Sequence, residues 1–301
     1  MLLNYLHLDV FTDTPLEGNQ LAVFHQPPLN LEPALMRRIA AEMNFSESTF
    51  VFPAQAGGDI RMRIFTPSEE LPMAGHPTIG TTFALAAEGV IAAGRPDFVF
   101  ELGVGPTPVS LEWKDGQLDF AWMTQKLPAF GAEVDARLLA SALGLEAGDM
   151  KGTPAQTISC GVPFLFVALA SREAVDRVSI DRRAYASGCR SAGIDELPVF
   201  LFTTERGSGA GDEAVYSRML APAFGIAEDP ATGGASGPLG CYLVRHGLLD
   251  AEAARSFVSR QGVAMGRPSR IAISIDTVGG TITRVRVGGR AVLVGRGELE
   301  F

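Results

Sequence analysis

A chain of 301 residues that is 47% hydrophobic and 20% charged has the length of about two domains and the composition of a globular protein with substantial cores. Its formal net charge of −9, with no basic run, argues against a nucleic-acid or anionic-membrane surface, where cations must displace counterions, and leaves a small molecule as the expected partner. The alternating start MLLNYLHLDVFTD has no basic leader, no apolar run approaches the ~18 residues of a membrane span, and Cys160, Cys189 and Cys241 show no CxxC spacing, so the expectation is a cytoplasmic protein with free thiols and no metal site.

In chain order, Leu6–Phe11 and Leu21–Phe24 read as strands separated by the turn residues of Thr12–Gln20. Asn30 is placed to cap a helix, and Pro33 suits its first turn. Leu35, Ile39 and Met43 then recur at the helical interval and predict a buried stripe ending near Asn44. Ser48–Phe52 and Ile60–Phe65 read as strands, and Pro77–Ala87 as an almost wholly apolar helix closed by Gly89. The hairpin VSLEW-KDGQ-LDFAWM turns at Asp115-Gly116, and Gln125–Ala132 reads as a linker. Beyond it the pattern predicts a helix over Ala136–Leu143 and strands over Thr157–Ser159, Phe164–Ala168, Val199–Thr203 and Val215–Leu220. A second apolar helix follows over Ala235–His246, then strands over Ile271–Ile275, Thr281–Val287 and Ala291–Val294. The Gly-rich run ERGSGAGDE from Glu205 lacks the Lys-[Ser/Thr] of a phosphate loop and is expected to be a hairpin tip.

Two stretches read as copies: RIFTPSEELPMAGHPTIG from Arg63 and RMLAPAFGIAEDPATGGASG from Arg218. Both run Arg-x-[Phe/Leu]-x-Pro, then Glu-x-Pro, then a Gly-rich turn that opens an apolar helix. Glu70 lies over Glu228, Pro72 over Pro230 and Gly75 over Gly233. GNQLAVF from Gly18 answers GVPFLFV from Gly161 in the same order. A tandem duplication follows, and two like domains form a natural site for a ligand.

Each apolar helix starts at a Gly-rich turn. A helix N-terminus presents backbone N–H groups and partial positive charge, and glycine lets a ligand approach the backbone, so a carboxylate-bearing substrate is expected there. Glu47, His76 and Asp229 are the titratable residues around these turns. Each alone is also an ordinary turn or capping residue; their joint occurrence with the duplication makes the functional reading.

SESTF at Ser46, FTPSEELPMAGHPTIG at Phe65 and EDPATGGA at Glu228, with GNQLAVF at Gly18, resemble the PhzF (phenazine biosynthesis-like) family over essentially the whole chain. The resemblance implies the diaminopimelate epimerase-like fold. This is an α+β architecture of two homologous domains, each a strand-rich, barrel-like sheet wrapped around a central apolar helix. The domains are expected over residues 1–126 and 127–301, with the last strand able to pack back on the first. The best-known member isomerises trans-2,3-dihydro-3-hydroxyanthranilic acid. By resemblance Glu47 matches the catalytic acid/base, His76 the assisting histidine and Asp229 the second-domain acid. Gly75 and Gly233 match the backbone donors around the substrate carboxylate, and Gly234, Ser46 and Asn19 complete the expected substrate-binding set. A homodimer is also implied.

One departure is Gly234, where PhzF itself has serine; Ser236, two residues on, is the nearest candidate replacement. Related epimerases use a cysteine pair, but here Ala74 occupies the first such place and DPATGG holds no cysteine. A single carboxylate that takes a proton from one carbon and returns it to another gives an isomerisation instead. Phe45, Phe50 and Met73 are apolar neighbours expected to raise the Glu47 pKa by desolvation. With no dinucleotide fingerprint, metal-ligand cluster or Schiff-base lysine motif, no cofactor is expected. The expectation is therefore a cofactor-independent isomerase of a small carboxylate. The alternatives are an epimerase or racemase of an amino-acid-like substrate and a non-catalytic binding protein on the same fold.

Overall fold

The computed structural model describes residues 2–207 and 213–301. The centre of the Gly-rich run from Glu205, and with it the expected hairpin tip, lies outside the described residues. The chain divides into one unit of residues 1–125 with 286–301 and a second of residues 126–285. The first half runs β1 (Leu2–Val10), β2 (Asn19–Phe24), α1 (Pro33–Met43), β3 (Glu47–Pro53), β4 (Ile60–Phe65), β5 (Glu70–Leu71), α2 (Gly75–Ala87), β6 (Asp97–Leu102), β7 (Gly105–Lys114) and β8 (Gln117–Gln125). The second runs β9 (Ala129–Val134), β10 (Ala155–Ser159), β11 (Pro163–Ala168), α3 (Arg172–Arg177), α4 (Arg182–Ala192), β12 (Val199–Thr203), β13 (Glu213–Ala221), β14 (Ile226–Asp229) and α5 (Gly233–Arg245). It ends with β15 (Phe257–Gln261), β16 (Ser269–Val278), β17 (Thr281–Gly289) and β18 (Ala291–Glu300). The architecture is α+β and strand-rich. No described helix is long and apolar enough to cross a membrane.

In the first unit β18, β1, β2, β3, β4, β6, β7 and β8 pair in that spatial order. The sheet curls around α2, which touches β8 near one edge and β18, β1, β2 and β3 toward the other. Ten of the thirteen α2 residues are buried, which is why the sequence shows no polar face. Its threonines satisfy their hydroxyls locally: Thr78 donates to Ala74 O and Thr82 to Thr78 O, both at 2.7 Å, and Thr81 meets Thr49 at 2.9 Å. Gly80 lets the helix sit against the sheet, because a Cβ there would fall 2.6 Å from both Leu21 and Val10. On the other face of the sheet α1 buries Met36, Ile39 and Ala40 against Phe24, Phe50, Phe52 and Phe65. Its N-cap is Glu32, with no side-chain cap, so Asn30 does not play the part its sequence position suggests. The helix ends as expected, at Asn44 in the left-handed region, whose N–H bonds Ala40 O.

The second unit repeats this order of pairing. The succession β1/β2 antiparallel, β2/β3 parallel, β3/β4 and β4/β5 antiparallel, β4/β6 parallel and β6/β7 antiparallel recurs as β10/β11, β11/β12, β12/β13, β13/β14, β13/β15 and β15/β16. Helix α5, with eleven of thirteen residues buried, holds the place of α2 and packs on β10, β11 and β16. The Arg and Glu shared by the repeats pair in both copies: Arg63 forks onto Glu70 at 2.7 and 2.6 Å, and Arg218 onto Glu228 at 2.9 and 2.8 Å.

Further departures from expectation lie in the second unit. The stretch read as a linker forms β9, paired with β10; its side chains are largely exposed, so main-chain bonds make the strand and no apolar alternation announces it. Residues 136–143 form two 3-10 turns rather than one helix, interrupted at Ala140 and closed by Gly144. Helices α3 and α4 carry too few buried apolar residues to show a helical stripe, although Ser171 and Asp181 cap them and Gly193 closes the second.

One carboxylate stabilises the β3–β4 connection. Glu101 accepts backbone N–H bonds from Gln55, Ala56 and Gly58 at 2.7, 2.6 and 2.9 Å. These bonds, that from Gln55 foremost, hold its carboxyl below the usual range. Such a group stabilises the fold above its unfolded-state pKa, and the contribution fades as pH falls through the carboxylate range. Glu101→Ala is therefore expected to lower Tm at neutral pH, with the gap from wild type closing in acid. A gap independent of pH would show that the ionised carboxylate is not what holds the turn.

Candidate functional site

Three of the sequence-predicted residues meet in the first unit. Asn19 opens β2, Glu47 opens β3 and His76 is the second residue of α2. Parallel pairing of β2 and β3, which sets Leu21 opposite Glu47, brings Glu47 beside the start of the central helix. His76 is 2% exposed, Asn19 1% and the Glu47 side chain 13%. Asn19 Nδ2 lies 3.2 Å from His76 Nδ1, and His76 Nε2 lies 3.5 Å from Glu47 Oε2. Which of Asn19 and His76 donates in their contact depends on the ring's tautomer, and the 3.5 Å approach of Nε2 to Glu47 is a proximity rather than a hydrogen bond. Ser46, half-buried in the turn after α1, precedes Glu47 directly.

Burial drives the His76 pKa down from 6.5 to about 3, and the Gln20 backbone, which favours the protonated ring, offsets only part of this. The ring is neutral at physiological pH, so its contact with Glu47 is not an ion pair. Unfolded His76 takes up a proton near pH 6.5 and the folded residue only near pH 3. Stability should therefore decline as pH falls between these values, by an amount on the order of 5 kcal/mol for the full span. Urea melts of wild type and His76→Asn at pH 7 and pH 4.5 check this: the wild type should lose more stability than the variant on acidification, and equal losses would refute the buried neutral ring.

Helix α2 begins after Ala74, an extended residue that supplies no capping side chain. The first turn of α2, opened by Gly75, therefore offers an anion backbone N–H groups and the positive end of the helix dipole.

In the second unit Asp229 ends β14, and Gly233 and Gly234 open α5, all buried. Thr232, the N-cap of α5, turns its hydroxyl away from the helix and donates to Asp229 Oδ2 at 2.6 Å. Gln261 at the end of β15 accepts from Thr232 N–H at 3.0 Å. Its Nε2 donates to Asp229 O at 2.7 Å and to Thr232 Oγ1 at 3.0 Å. Ser236 does not replace the hydroxyl missing at Gly234, because it is fully buried and donates to Thr232 O at 2.9 Å. Thr232 stands inside a motif the sequence singled out. Gln261 carries no local signal and reaches the site only through the parallel pairing of β13 with β15.

The three cysteines are buried. Bonding to Cys160 and burial push the Cys241 thiol up, and burial does the same to Cys189. Neither thiol is a proton-transfer base. Among the described residues no group of three or more His, Cys, Asp or Glu side chains is disposed to hold a metal ion.

The model of the phenazine biosynthesis-like (PhzC-PhzF) family matches residues 8–297. The trans-2,3-dihydro-3-hydroxyanthranilate isomerase of Pseudomonas fluorescens is 39% identical over 297 residues, covering 98% of this chain and 99% of its own. Among solved structures, a PhzF-family phenazine biosynthesis protein from Bacillus anthracis superposes with a TM-score of 0.86 at 25% identity over the whole of both chains. A predicted epimerase from Pseudomonas aeruginosa does so with a TM-score of 0.80 at 32% identity over 99% of each. With a family match from one end to the other and isomerases related along nearly its full length, the chain is an isomerase and belongs to the phenazine biosynthesis-like family.

Proposed function

We propose that this isomerase moves a proton between two carbons of a small carboxylate, without a cofactor, and that Glu47 is the single acid/base that carries it. The observation that supports this most directly is the pairing of Glu47, largely withdrawn from water, with a neutral imidazole 3.5 Å away. A neutral His76 beside Glu47 does not neutralise the carboxylate as a cation would, which suits a group that must take up a proton. The carboxylate takes a proton as one C–H bond breaks, and the electron pair shifts an adjacent double bond. The same proton then forms a C–H bond at the far end of the shifted system, so no oxidant or reductant is consumed.

In this reading the backbone N–H groups that open the central helix of each unit, at Gly75 in the first and at Gly233 and Gly234 in the second, are donors for a substrate carboxylate. Ser46, Asn19 and His76, beside Glu47 in the first unit, and Asp229 in the second are proposed to meet polar groups of the substrate. The relative in Pseudomonas fluorescens is named for trans-2,3-dihydro-3-hydroxyanthranilate, and a substrate of that type is proposed here. One feature favours a differently substituted substrate: Gly234 brings no hydroxyl, and those of Thr232 and Ser236 are engaged with Asp229 and with Thr232 O. A cytoplasmic homodimer is the proposed state, to be checked by cell fractionation and sedimentation.

The test is incubation of the protein in D₂O with a panel of small carboxylates, including dihydro-hydroxyanthranilate and free amino acids, followed by NMR. A shifted double bond, with or without deuterium at the new C–H position, supports the isomerase reading. Deuterium at an α-carbon with loss of optical purity would replace it with epimerisation. No change across the panel would favour a binding protein.

A further inference from the structure

We propose that Gln261 is a positioning residue for Asp229, acting through Thr232 to fix the direction of a hydroxyl proton and so the aim of the carboxylate. This rests on the reading of Asp229 as a substrate-binding acid.

The orientation of the Gln261 amide follows from its partners. Thr232 N–H can only donate, so the atom facing it at 3.0 Å is the oxygen; Asp229 O can only accept, so the atom facing it at 2.7 Å is the nitrogen. That nitrogen also donates to Thr232 Oγ1. Having accepted there, the hydroxyl directs its one proton at Asp229 Oδ2, at a short 2.6 Å. The chain of donors runs one way, from the end of β15 to the carboxylate. Gln261 is fully buried, which removes water as a competitor.

The duplicated scaffold shows that the fold itself does not need this network. In the second unit Gly262, next to Gln261, packs on the proline after Asp229: a Cβ on Gly262 would lie 2.5 Å from Pro230 O. In the first unit Gly103 packs in the same way on Pro72, with a Cβ 2.8 Å from Pro72 Cα. Leu102 therefore corresponds to Gln261, Leu71 to Asp229 and Ala74 to Thr232. All three polar positions of the second unit are apolar in the first, yet α2 and α5 begin at matching glycines and are both thirteen residues long. The exchange runs the other way for the first unit's trio: Asn19, Glu47 and His76 correspond to Val162, Pro198 and Gly234. Each copy keeps one polar set where the other is apolar or glycine. A set that comes and goes together, on a backbone that forms without it, points to chemistry rather than folding.

The experiment compares Gln261→Leu, Thr232→Ala, Thr232→Ser and the Gln261→Leu/Thr232→Ala double variant, with Asp229→Asn as control. The readouts are steady-state turnover of trans-2,3-dihydro-3-hydroxyanthranilate, Tm, and crystal structures of wild type and Gln261→Leu. The expected result is a loss of about 10- to 100-fold in kcat/KM for Gln261→Leu and for Thr232→Ala, as for a misaimed catalytic group. The double variant should be no worse than the poorer single, because both act through one chain. Thr232→Ser should stay near wild type, and Tm should move by a few degrees at most, since Leu102 and Ala74 serve the first unit. Wild-type activity in Gln261→Leu beside a crippled Asp229→Asn would overturn the positioning role alone. An Asp229→Asn protein of full activity would overturn the reading of Asp229 beneath it. Additive losses that track Tm would make the network structural. If the probe is not turned over, the crystal structures decide: the contact between Thr232 Oγ1 and Asp229 should be lost in Gln261→Leu, and its persistence would sink the proposal.

Discussion

Glu47→Gln should lower kcat for proton transfer by about 10²- to 10⁴-fold, the range that a positioned general acid/base supplies, with Tm within a few degrees of wild type. The substitution is nearly isosteric. The amide keeps the shape of the carboxylate beside His76, and the first residue of β3 keeps its backbone pairing with Leu21. What is lost is the capacity to hold and release a proton, since an amide does not titrate. Stability should not suffer, because an amide loses less on leaving water than a carboxylate does. Glu47→Asp should be intermediate: it titrates, but draws the acid back by one methylene from His76 and from the start of α2. Steady-state kinetics with deuterium exchange monitored by NMR separate the two variants. Activity in Glu47→Gln within a few-fold of wild type would remove Glu47 from the proton's path.

The parts of the fold that the sequence made legible are those built on repetition and apolar burial. The Arg-x-[Phe/Leu]-x-Pro copies foretold two like units, and their structural reason is visible in the forks of Arg63 on Glu70 and Arg218 on Glu228. The largely apolar helices α2 and α5, which show no polar face, could only lie in the middle of their units. The strand β9 and the helices α3 and α4 escaped because their information is in main-chain pairing and caps, not apolar period. The first unit's polar trio was found because His76 and Glu47 lie in short motifs, whereas Gln261 lies 29 residues beyond Thr232 and is brought to it only by sheet topology. A hydroxyl's direction is likewise invisible in a sequence: Ser236 stood as the candidate replacement at Gly234 until its bond to Thr232 O assigned it to the helix.

Arg218→Leu should be strongly destabilising, and the repeat supplies its own control. The Arg218 side chain is 11% exposed and that of Glu228 15%. Besides the fork, Arg218 Nη1 donates to Val175 O, Asp176 O and Val178 O at 3.0 to 3.1 Å, gathering the end of α3 onto β13. Pairing with Glu228 holds the guanidinium's pKa above its usual value. Removing it leaves a largely buried carboxylate without its cation and takes a donor from three carbonyls, of which Val175 O keeps the Val178 N–H. Breaking buried pairs costs about 3–5 kcal/mol, and the partial exposure here places the expectation near the lower end, about 3 kcal/mol. For a unit of this size that is roughly 6–12 °C in Tm. Arg218→Lys should recover only part, because an ammonium cannot fork onto a carboxylate and reach three carbonyls at once. In the first unit Arg63 faces a 41% exposed Glu70 and lies over the Phe65 ring. Arg63→Leu should therefore cost no more than about 1 kcal/mol. Equal shifts in the two variants, measured by calorimetry, would show that the carbonyl contacts of Arg218 contribute nothing beyond the fork. A larger shift for Arg218→Leu, partly restored in Arg218→Leu/Glu228→Leu, would identify the stranded carboxylate as the main cost. Because Glu228 immediately precedes Asp229, the surviving activity of Arg218→Leu well below its Tm would also report how far the acid's aim depends on the strand that carries it.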